Sequence, residues 1–296
     1  MSVRYAVTHR TEYGYDDAVT ASYGFAFLLP RPIPGRQAAT ADVVIDPPPV
    51  DRREHLDVYG NRALYFSVLA EHDRLVVTAT SLVDVEPPVL VADGPAWESV
   101  RDVLADRGPG PAASVDDIDA VEFVLASPMV ALTDALRAYA APSFWPERPV
   151  LPSAIDLMHR IHAEFDYEPG TTTITTTLDE VLDHRAGVCQ DFAHLLVGCL
   201  RSYGLAARYV SGYLETTPPP GQAKLQGADA SHAWASLYVP GHGWVDLDPT
   251  NDLVVDDRFV VTAWGRDYTD VTPLRGVIFT ESKNSTLDVG VDVVRQ

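Results

Sequence analysis

Residues 185–196 read RAGVCQDFAHLL and contain one of only two cysteines in the 296-residue chain. Apolar residues recur at helical spacing from residue 188 to 203 and Gly204 ends the run, which predicts a helix over 188–203. Cys189 would then occupy the first turn, where free N–H groups and the helix dipole stabilise an anion such as a thiolate. Cys199 falls among the apolar positions and is expected to be a core thiol. Cys189 is therefore the candidate nucleophile.

Two strand-like segments downstream supply possible partners for this thiol. HAWASLYV and GWVDLDPT predict two adjacent strands joined by a short turn at residues 240–243, with a Pro/Gly-rich loop before them. His232 opens the first strand and Asp248 ends the second. Imidazole titrates in the range that a base for a thiol needs, and a carboxylate fixes its tautomer and stabilises its charged form. The pattern predicts a Cys-His-Asp triad.

The same segments carry a family resemblance. GVCQDFA, SHAWASLY and GWVDLDPTN, in this order, resemble the core motifs of the transglutaminase-like superfamily, over residues 165–251. THRTEYGYDDAV, LLPRP and DVYGN are similar to the N-terminal β domain of its bacterial members, and AWGRDYTDVTPLRGV resembles their C-terminal block. The resemblance implies that Cys189 is the nucleophile, His232 the base and Asp248 the orienting acid.

The predicted fold class is α+β. Residues 1–92 alternate in strand-length runs cut by Pro, Asp and Gly-Asn, which predicts a small β-sandwich. Residues 93–150 are interrupted by breakers such as RGPGPAAS and are expected to form a partly helical connecting segment. Residues 151–296 are expected to form a papain/transglutaminase-like core, with the cysteine helix packed on an antiparallel sheet that carries the histidine and aspartate, followed by C-terminal strands.

Several other residues near the motifs have competing interpretations. Asp246 lies two residues before Asp248 on the same strand face and is the alternative orienting acid. Trp234 and Trp244 are candidate walls of a substrate channel, although aromatic strand residues more often belong to a core. His184, just before the nucleophile, is a candidate to approach the substrate. His194 lies five residues along the helix from the thiol, and we expect it to be structural.

The oxyanion site and its surroundings are less defined. The backbone N–H of Cys189 at the helix start is one expected oxyanion donor, and the second donor cannot be named from the sequence. Asp191 in the first helical turn is expected to cap the helix. Arg266 and Asp267 either brace the site or form an ordinary ion pair.

Composition limits the possible partners and compartment. The formal charge is −20 and there are only two lysines, Lys224 and Lys283, so neither nucleic acid nor an anionic membrane is an expected partner. Two cysteines ten residues apart on one helix lie about 15 Å apart and cannot form a disulfide. No zinc or calcium-loop spacing occurs, so no metal or cofactor is predicted. The N-terminal residues lack a signal-peptide pattern, which favours a cytoplasmic location.

Three functions remain open for such a chain. The favoured hypothesis is hydrolysis of an amide or peptide bond through a thioester acyl-enzyme. The second is amine transfer to that thioester, as in a transglutaminase, which requires water to be excluded. The third is a non-catalytic binding module. The expected partner is a peptide or protein, and the sequence predicts no oligomeric state.

Overall fold

The chain was analysed as a computed structural model, which describes residues 2–88, 93–105, 115–216 and 231–296. No helix within these ranges is both long and apolar enough to span a bilayer. The Pro/Gly-rich loop predicted before the histidine strand lies largely outside them. Residues 114–119 have the pattern of a helix N-terminal cap region, and Ser114 also lies outside the described residues.

The N-terminal region forms one sheet in which the first strand pairs with four others. Its first five strands are β1 (Val3–Ala26), β2 (Gln37–Asp46), β3 (Asp51–Leu56), β4 (Arg62–Val68) and β5 (His72–Val85), in the order β2-β5-β1-β4-β3. The first half of β1 pairs with β5 and its second half with β4, and the register shifts between Gly14 and Val19. Residues of β2 and β5 pack with residues of β4 in one buried cluster, so the two halves face each other. The predicted sandwich is thus a single hydrogen-bonded sheet that folds over at β1.

The C-terminal strands complete this first sheet. β13 (Leu274–Thr280) pairs with the second half of β1, and β14 (Ser285–Arg295) pairs with the first half. The sequence-based division grouped these strands with the catalytic core, but their hydrogen bonds place them on the N-terminal sheet. Alternation in a short strand does not indicate which distant strand it pairs with, so this pairing was not visible in the sequence.

Short helices connect the two sheets, as the breaker-rich segment predicted. They are α1 (Trp97–Leu104), α2 (Val115–Val121), α3 (Asp134–Ala140) and α4 (Val150–Glu164), with single 3-10 turns at Glu122–Val124 and Ala141–Ser143. Ser153 lies within α4, and its hydroxyl donates to the carbonyl of Pro149 at 2.9 Å. Pro152 is accommodated because the first helical turn needs no N–H donor there.

The second sheet carries the candidate site. Its strands are β8 (Ala207–Leu214), β9 (Ser231–Val239), β10 (Gly243–Asp248), β11 (Leu253–Val254) and β12 (Phe259–Gly265), in the order β11-β10-β9-β8-β12. The remaining elements are α5 (Leu178–His184), the short parallel pair β6 (Asp166–Tyr167) and β7 (Ala186–Gly187), α6 (Cys189–Ser202) and α7 (Tyr268–Val271). Helix α6 packs on β8 and β9, and its apolar residues belong to the largest buried cluster. The α+β fold, with the cysteine helix on an antiparallel sheet, is as predicted.

Candidate active site

Cys189 is the first residue of α6 and is half-buried. The preceding residue, Val188, is extended (φ −120°, ψ 179°), so the backbone changes from extended to helical conformation at Cys189. Gly187 is required by packing: a Cβ there would lie 2.8 Å from the Asp191 carboxylate. The first N–H groups of a helix have no intrahelical acceptor, and Cys189 occupies this position; its role as an oxyanion donor stays a prediction.

Asp191 fixes the turn that presents the thiol. Its Oδ2 accepts hydrogen bonds from the backbone N–H of Val188 at 2.8 Å and from the hydroxyl of Thr172 at 2.6 Å. The carboxylate is buried, so these bonds are shielded from solvent. The predicted capping role is confirmed. The bond to Thr172 also links the threonine-rich loop, residues 171–177, to the start of α6.

This tie gives a testable effect on stability. Thr172→Val should lower the free energy of unfolding by about 1–2 kcal/mol, because it removes one charge-assisted hydrogen bond to a buried carboxylate. Urea unfolding would measure the change. Thr171→Val is the matched control, since Thr171 is exposed in the same loop. Equal stabilities for the two variants would contradict the proposed tie.

His232 and Asp248 meet at one end of the β9–β10 hairpin. His232 Nε2 lies 2.8 Å from Asp248 Oδ2, and the aspartate is fully buried. Because Nε2 faces the carboxylate, Nδ1 is the ring nitrogen left to serve the thiol. The Cys189 side chain is close enough to contribute to the raised pKa of His232. The structure thus brings together all three residues that the motifs singled out.

Sequence reasoning missed the residue that holds Asp248 in place. Asn251 donates its side-chain amide to Asp248 Oδ2 at 2.7 Å, and the backbone N–H groups of Thr250 and Asn251 donate to Oδ1 at 2.9 and 3.2 Å. An aspartate followed by a turn is a common source of such bonds, so the DPTN tetrapeptide was the available signal. The buried carboxylate consequently has acceptor bonds on both oxygens.

The electrostatics of His232 favour its charged form. Burial by itself lowers the pKa of the imidazole, but the hydrogen bonds and charges of Asp248 and Cys189 outweigh burial and raise the pKa to about 10. Because the folded-state pKa exceeds the unfolded value of 6.5, the stabilisation is complete below about pH 6.5 and is lost as the pH rises towards 10. An imidazolium at neutral pH is the partner that a thiolate requires.

Two of the three proposed substrate contacts are placed elsewhere. Trp234 is fully buried and its ring lies behind His232, with centroids 6.1 Å apart, so it belongs to the core. Trp244 is four residues before Asp248 along β10, about 13 Å away. His184 is exposed at the end of α5 and faces Glu180. Trp234 and Trp244 thus lie away from the thiol, and a substrate contact of His184 stays a prediction.

The alternative acid, Asp246, has a different role. Its Oδ2 lies 2.8 Å from the guanidinium of Arg36 in the N-terminal region. His232 contacts Asp248 instead, which supports the choice made from the motif. Arg266 forms an ion pair with Asp270 at 2.9 Å, and buried Asp267 caps α7 through Thr269, so these tail residues are explained by local structure.

The aromatic surroundings of the thiol come from two regions of the chain. Cys189 packs against a buried cluster that contains Tyr209 of β8 and Phe27 of the N-terminal region, and Tyr268 of α7 packs against the same cluster. His194 is structural as predicted: its Nε2 accepts the N–H of Tyr268 at 3.1 Å, and burial lowers its pKa to about 4. On the open side, Tyr167 is more than half exposed and lies within electrostatic range of Cys189. These tyrosines have no local sequence signal, because only the tertiary fold brings them to the thiol.

The arrangement can perform acyl transfer. A thiol at a helix N-terminus, an imidazolium beside it and a buried carboxylate behind the imidazole are the components of thiol-dependent acyl-transfer chemistry. Within the described ranges, no three His, Cys, Asp or Glu side chains lie close enough together to hold a metal ion.

Comparisons with known proteins identify the family. Residues 5–84 match the bacterial transglutaminase-like N-terminal region, and residues 138–249 match the transglutaminase-like superfamily. An uncharacterized protein of Mycobacterium bovis is 50% identical over 98% of this chain and 92% of its own length. An uncharacterized protein of Mycobacterium leprae is 33% identical over 99% of both chains. The chain belongs to the transglutaminase-like superfamily.

A solved structure and a more distant relative extend the comparison. The crystal structure of a candidate cysteine protease from Cytophaga hutchinsonii has a TM-score of 0.74, covers 98% of this chain and 91% of its own, and is 20% identical, so it supports the fold. A protein-glutamine gamma-glutamyltransferase of Pseudomonas aeruginosa is 34% identical over 125 residues, which is 40% of this chain and 18% of that protein.

Proposed function

We propose that this protein is a thiol hydrolase that cleaves amide or peptide bonds through Cys189, His232 and Asp248. The observation that carries the proposal is the placement of His232 between the buried carboxylate of Asp248, at 2.8 Å, and the thiol of Cys189. Membership of the transglutaminase-like superfamily supports thiol chemistry in general.

The proposed reaction has two steps. The Cys189 thiolate attacks the substrate carbonyl carbon, while the backbone N–H of Cys189 stabilises the developing oxyanion. The His232 imidazolium gives its proton to the leaving nitrogen as the C–N bond breaks, leaving a thioester. His232, now neutral, takes a proton from water as the water oxygen attacks the thioester. The C–S bond then breaks, the carboxylic acid leaves, and the thiolate–imidazolium pair of Cys189 and His232 is regenerated.

Hydrolysis is favoured over amine transfer because water has access to the thiol. Cys189 is only half-buried, and its neighbour Tyr167 is more than half exposed. Amine transfer needs a site that excludes water from the thioester. The alternative, a protein-glutamine acyltransferase, draws support from the relative of that name in Pseudomonas aeruginosa.

Product analysis distinguishes the two reactions. A proteome-derived peptide mixture would be incubated with the protein and monodansylcadaverine, and the products read by mass spectrometry. We expect new peptide termini or glutamine-to-glutamate conversion without dye attachment. Dye attached to glutamine side chains as the main product would replace hydrolysis by the acyltransferase alternative. If neither product formed, the result would favour a non-catalytic binding module.

Composition and the two thiols bear on the substrate class and the location. A peptide or protein substrate is proposed, and nucleic acid and membrane surfaces are not expected partners, because the chain has a formal charge of −20. A cytoplasmic location stays a prediction, based on two cysteines that are both free.

A further inference from the structure

A cavity lies at the end of the second sheet that is far from the Cys189 thiol. It has a volume of about 430 Å³ and is lined by Arg208, Trp244 and Trp264 from the sheet, with Tyr59 and Phe123 from other elements. Arg208 lies four residues along β8 from Gly212, which pairs with His232, so the cavity is about 13 Å from the catalytic histidine. It is therefore separate from the proposed active site.

The side chain of Arg208 points away from α6. Its neighbour Tyr209 packs on α6, and successive strand residues point to opposite faces, so Arg208 faces the cavity. Its guanidinium carbon lies 4.1 Å from the ring centroid of Trp244 and 3.6 Å from that of Trp264. The two indole rings therefore hold the guanidinium plane in one orientation.

Arg208 is a buried cation with no hydrogen bond to the described residues. It is only 6% exposed and its Nε has no hydrogen-bond partner. The carboxylate of Asp246 interacts with it as a nearby opposite charge. Burial lowers its pKa to about 9, so it is still charged at neutral pH. Leaving a buried charged donor unsatisfied costs several kcal/mol, so an acceptor from outside the chain would stabilise this arrangement.

Two other buried arginines among the described residues make hydrogen bonds to the chain itself, although the Nε of Arg31, like that of Arg208, has no partner. Arg201 is 2% exposed and donates to the carbonyls of Ala207, Leu125 and Arg266 at 2.9, 3.0 and 2.6 Å. Arg31, which also stacks on Trp264, donates to the carbonyl of Tyr59 at 3.0 Å and to the side chain of Asn61. Arg208 differs from both because its donors face a cavity.

The other charged groups of the cavity define the opposite end of the ligand. Asp119 and Glu122 line it and are exposed at its rim, and Glu122 accepts the hydroxyl of Tyr59 at 2.6 Å. A purely anionic ligand would be repelled by these carboxylates, while a purely cationic one would be repelled by Arg208. Between the two ends, Phe123 and the Trp244 ring offer apolar surface to a carbon skeleton.

We propose that this cavity binds a small zwitterion, with its carboxylate on Arg208 and its cationic group near Asp119 and Glu122. A planar carboxylate can accept two hydrogen bonds from a guanidinium fork, which the flanking indole rings hold in place. An amino acid or a short peptide has this chemistry. The proposal does not depend on the catalytic one, because none of these residues touches the triad.

Binding can be measured by quenching of tryptophan fluorescence, since Trp244 and Trp264 line the cavity. The probes are glycine, 4-aminobutyrate and 6-aminohexanoate, compared with hexanoate and hexylamine, which each lack one charge. We expect saturable quenching by at least one amino acid and at least about tenfold weaker binding of the two single-charge probes. Equal binding of hexanoate, or no saturable binding of any zwitterion, would refute the proposal.

Substitutions then place the ligand in this cavity. Arg208→Lys should weaken the binding of the best zwitterion at least about tenfold, because an ammonium lacks the planar fork. Arg148→Lys is the matched control, since Arg148 stacks on exposed Trp145 at 3.7 Å outside the cavity. If Arg208→Lys does not fold, Asp119→Asn provides the second test: it should reduce the preference for 6-aminohexanoate over hexanoate. Unchanged affinity in a folded Arg208→Lys protein, or an unchanged preference in Asp119→Asn, would overturn the assignment.

Discussion

Replacing Cys189 with alanine is expected to abolish peptide hydrolysis, with a loss of at least about 1,000-fold. No second thiol can substitute, because Cys199 is fully buried in α6 and its Sγ contacts the carbonyl of Leu136 at 3.6 Å. Burial also raises the pKa of Cys199, which keeps it in the unreactive thiol form. The rate of cleavage of the peptide mixture, read by mass spectrometry, measures the loss.

Cys199→Ala is the matched control for this experiment. It should retain the full rate of hydrolysis while losing about 1 kcal/mol of stability from the small cavity that it creates. If Cys189→Ala retained its activity, Cys189 would not be the nucleophile and the proposed mechanism would fail. If the protein showed only a binding activity and Cys189→Ala left that activity unchanged, the binding-module hypothesis would be favoured over both enzymatic ones.

Alkylation of Cys189 by iodoacetamide should be fast at pH 6.5 and about 100-fold slower in His232→Ala. An ordinary thiol with a pKa of about 8.5 is only about 1% ionised at pH 6.5. In the intact protein the pKa of His232 is raised to about 10, so its imidazolium is present at neutral pH and stabilises the thiolate. The rate should therefore change little between pH 6.5 and 9, and the stabilisation should disappear only above about pH 10.

Mass spectrometry would resolve the two thiols in each sample, and buried Cys199 serves as the internal control. Slow labelling of Cys189 in the intact protein, rising only near pH 8.5, would mean that His232 does not activate the thiol. Equal rates in the intact protein and in His232→Ala would have the same meaning. The experiment needs no substrate, so it tests the site independently of the proposed reaction.

The sequence predicted the parts of the site that depend on local structure. A helix start, a strand start and a strand end are each recognisable within about ten residues, and the short turn at 240–243 brings His232 and Asp248 to the same end of a hairpin. The cysteine helix was predicted for the same reason. The choice of Asp248 over Asp246 needed the family resemblance, because alternation alone places both on one face of the strand.

The remaining parts depend on contacts between distant segments. The cluster on which Cys189 packs is assembled from Tyr209 of β8 and Phe27 of the N-terminal region, with Tyr268 of α7 packed against it. Trp244 follows the turn at 240–243 directly and therefore lies at the opposite end of β10 from Asp248, as its position in the sequence already indicated. Bonds such as that between Thr172 and Asp191 link residues 19 apart, and no local pattern indicates them.

The pairing of β13 and β14 with β1 affects how the chain can be made. Tyr5 pairs with Arg295, so β1 leaves the ribosome long before β14, and its hydrogen bonds are complete only after β14 has been synthesised. During this interval the nascent chain exposes a long strand edge, which is a template for wrong pairing and aggregation. The strands of the catalytic sheet lie between residues 207 and 265, so all of them have been synthesised before β13 and β14. Synthesis is therefore expected to deliver the catalytic region before the sheet that begins the sequence is closed.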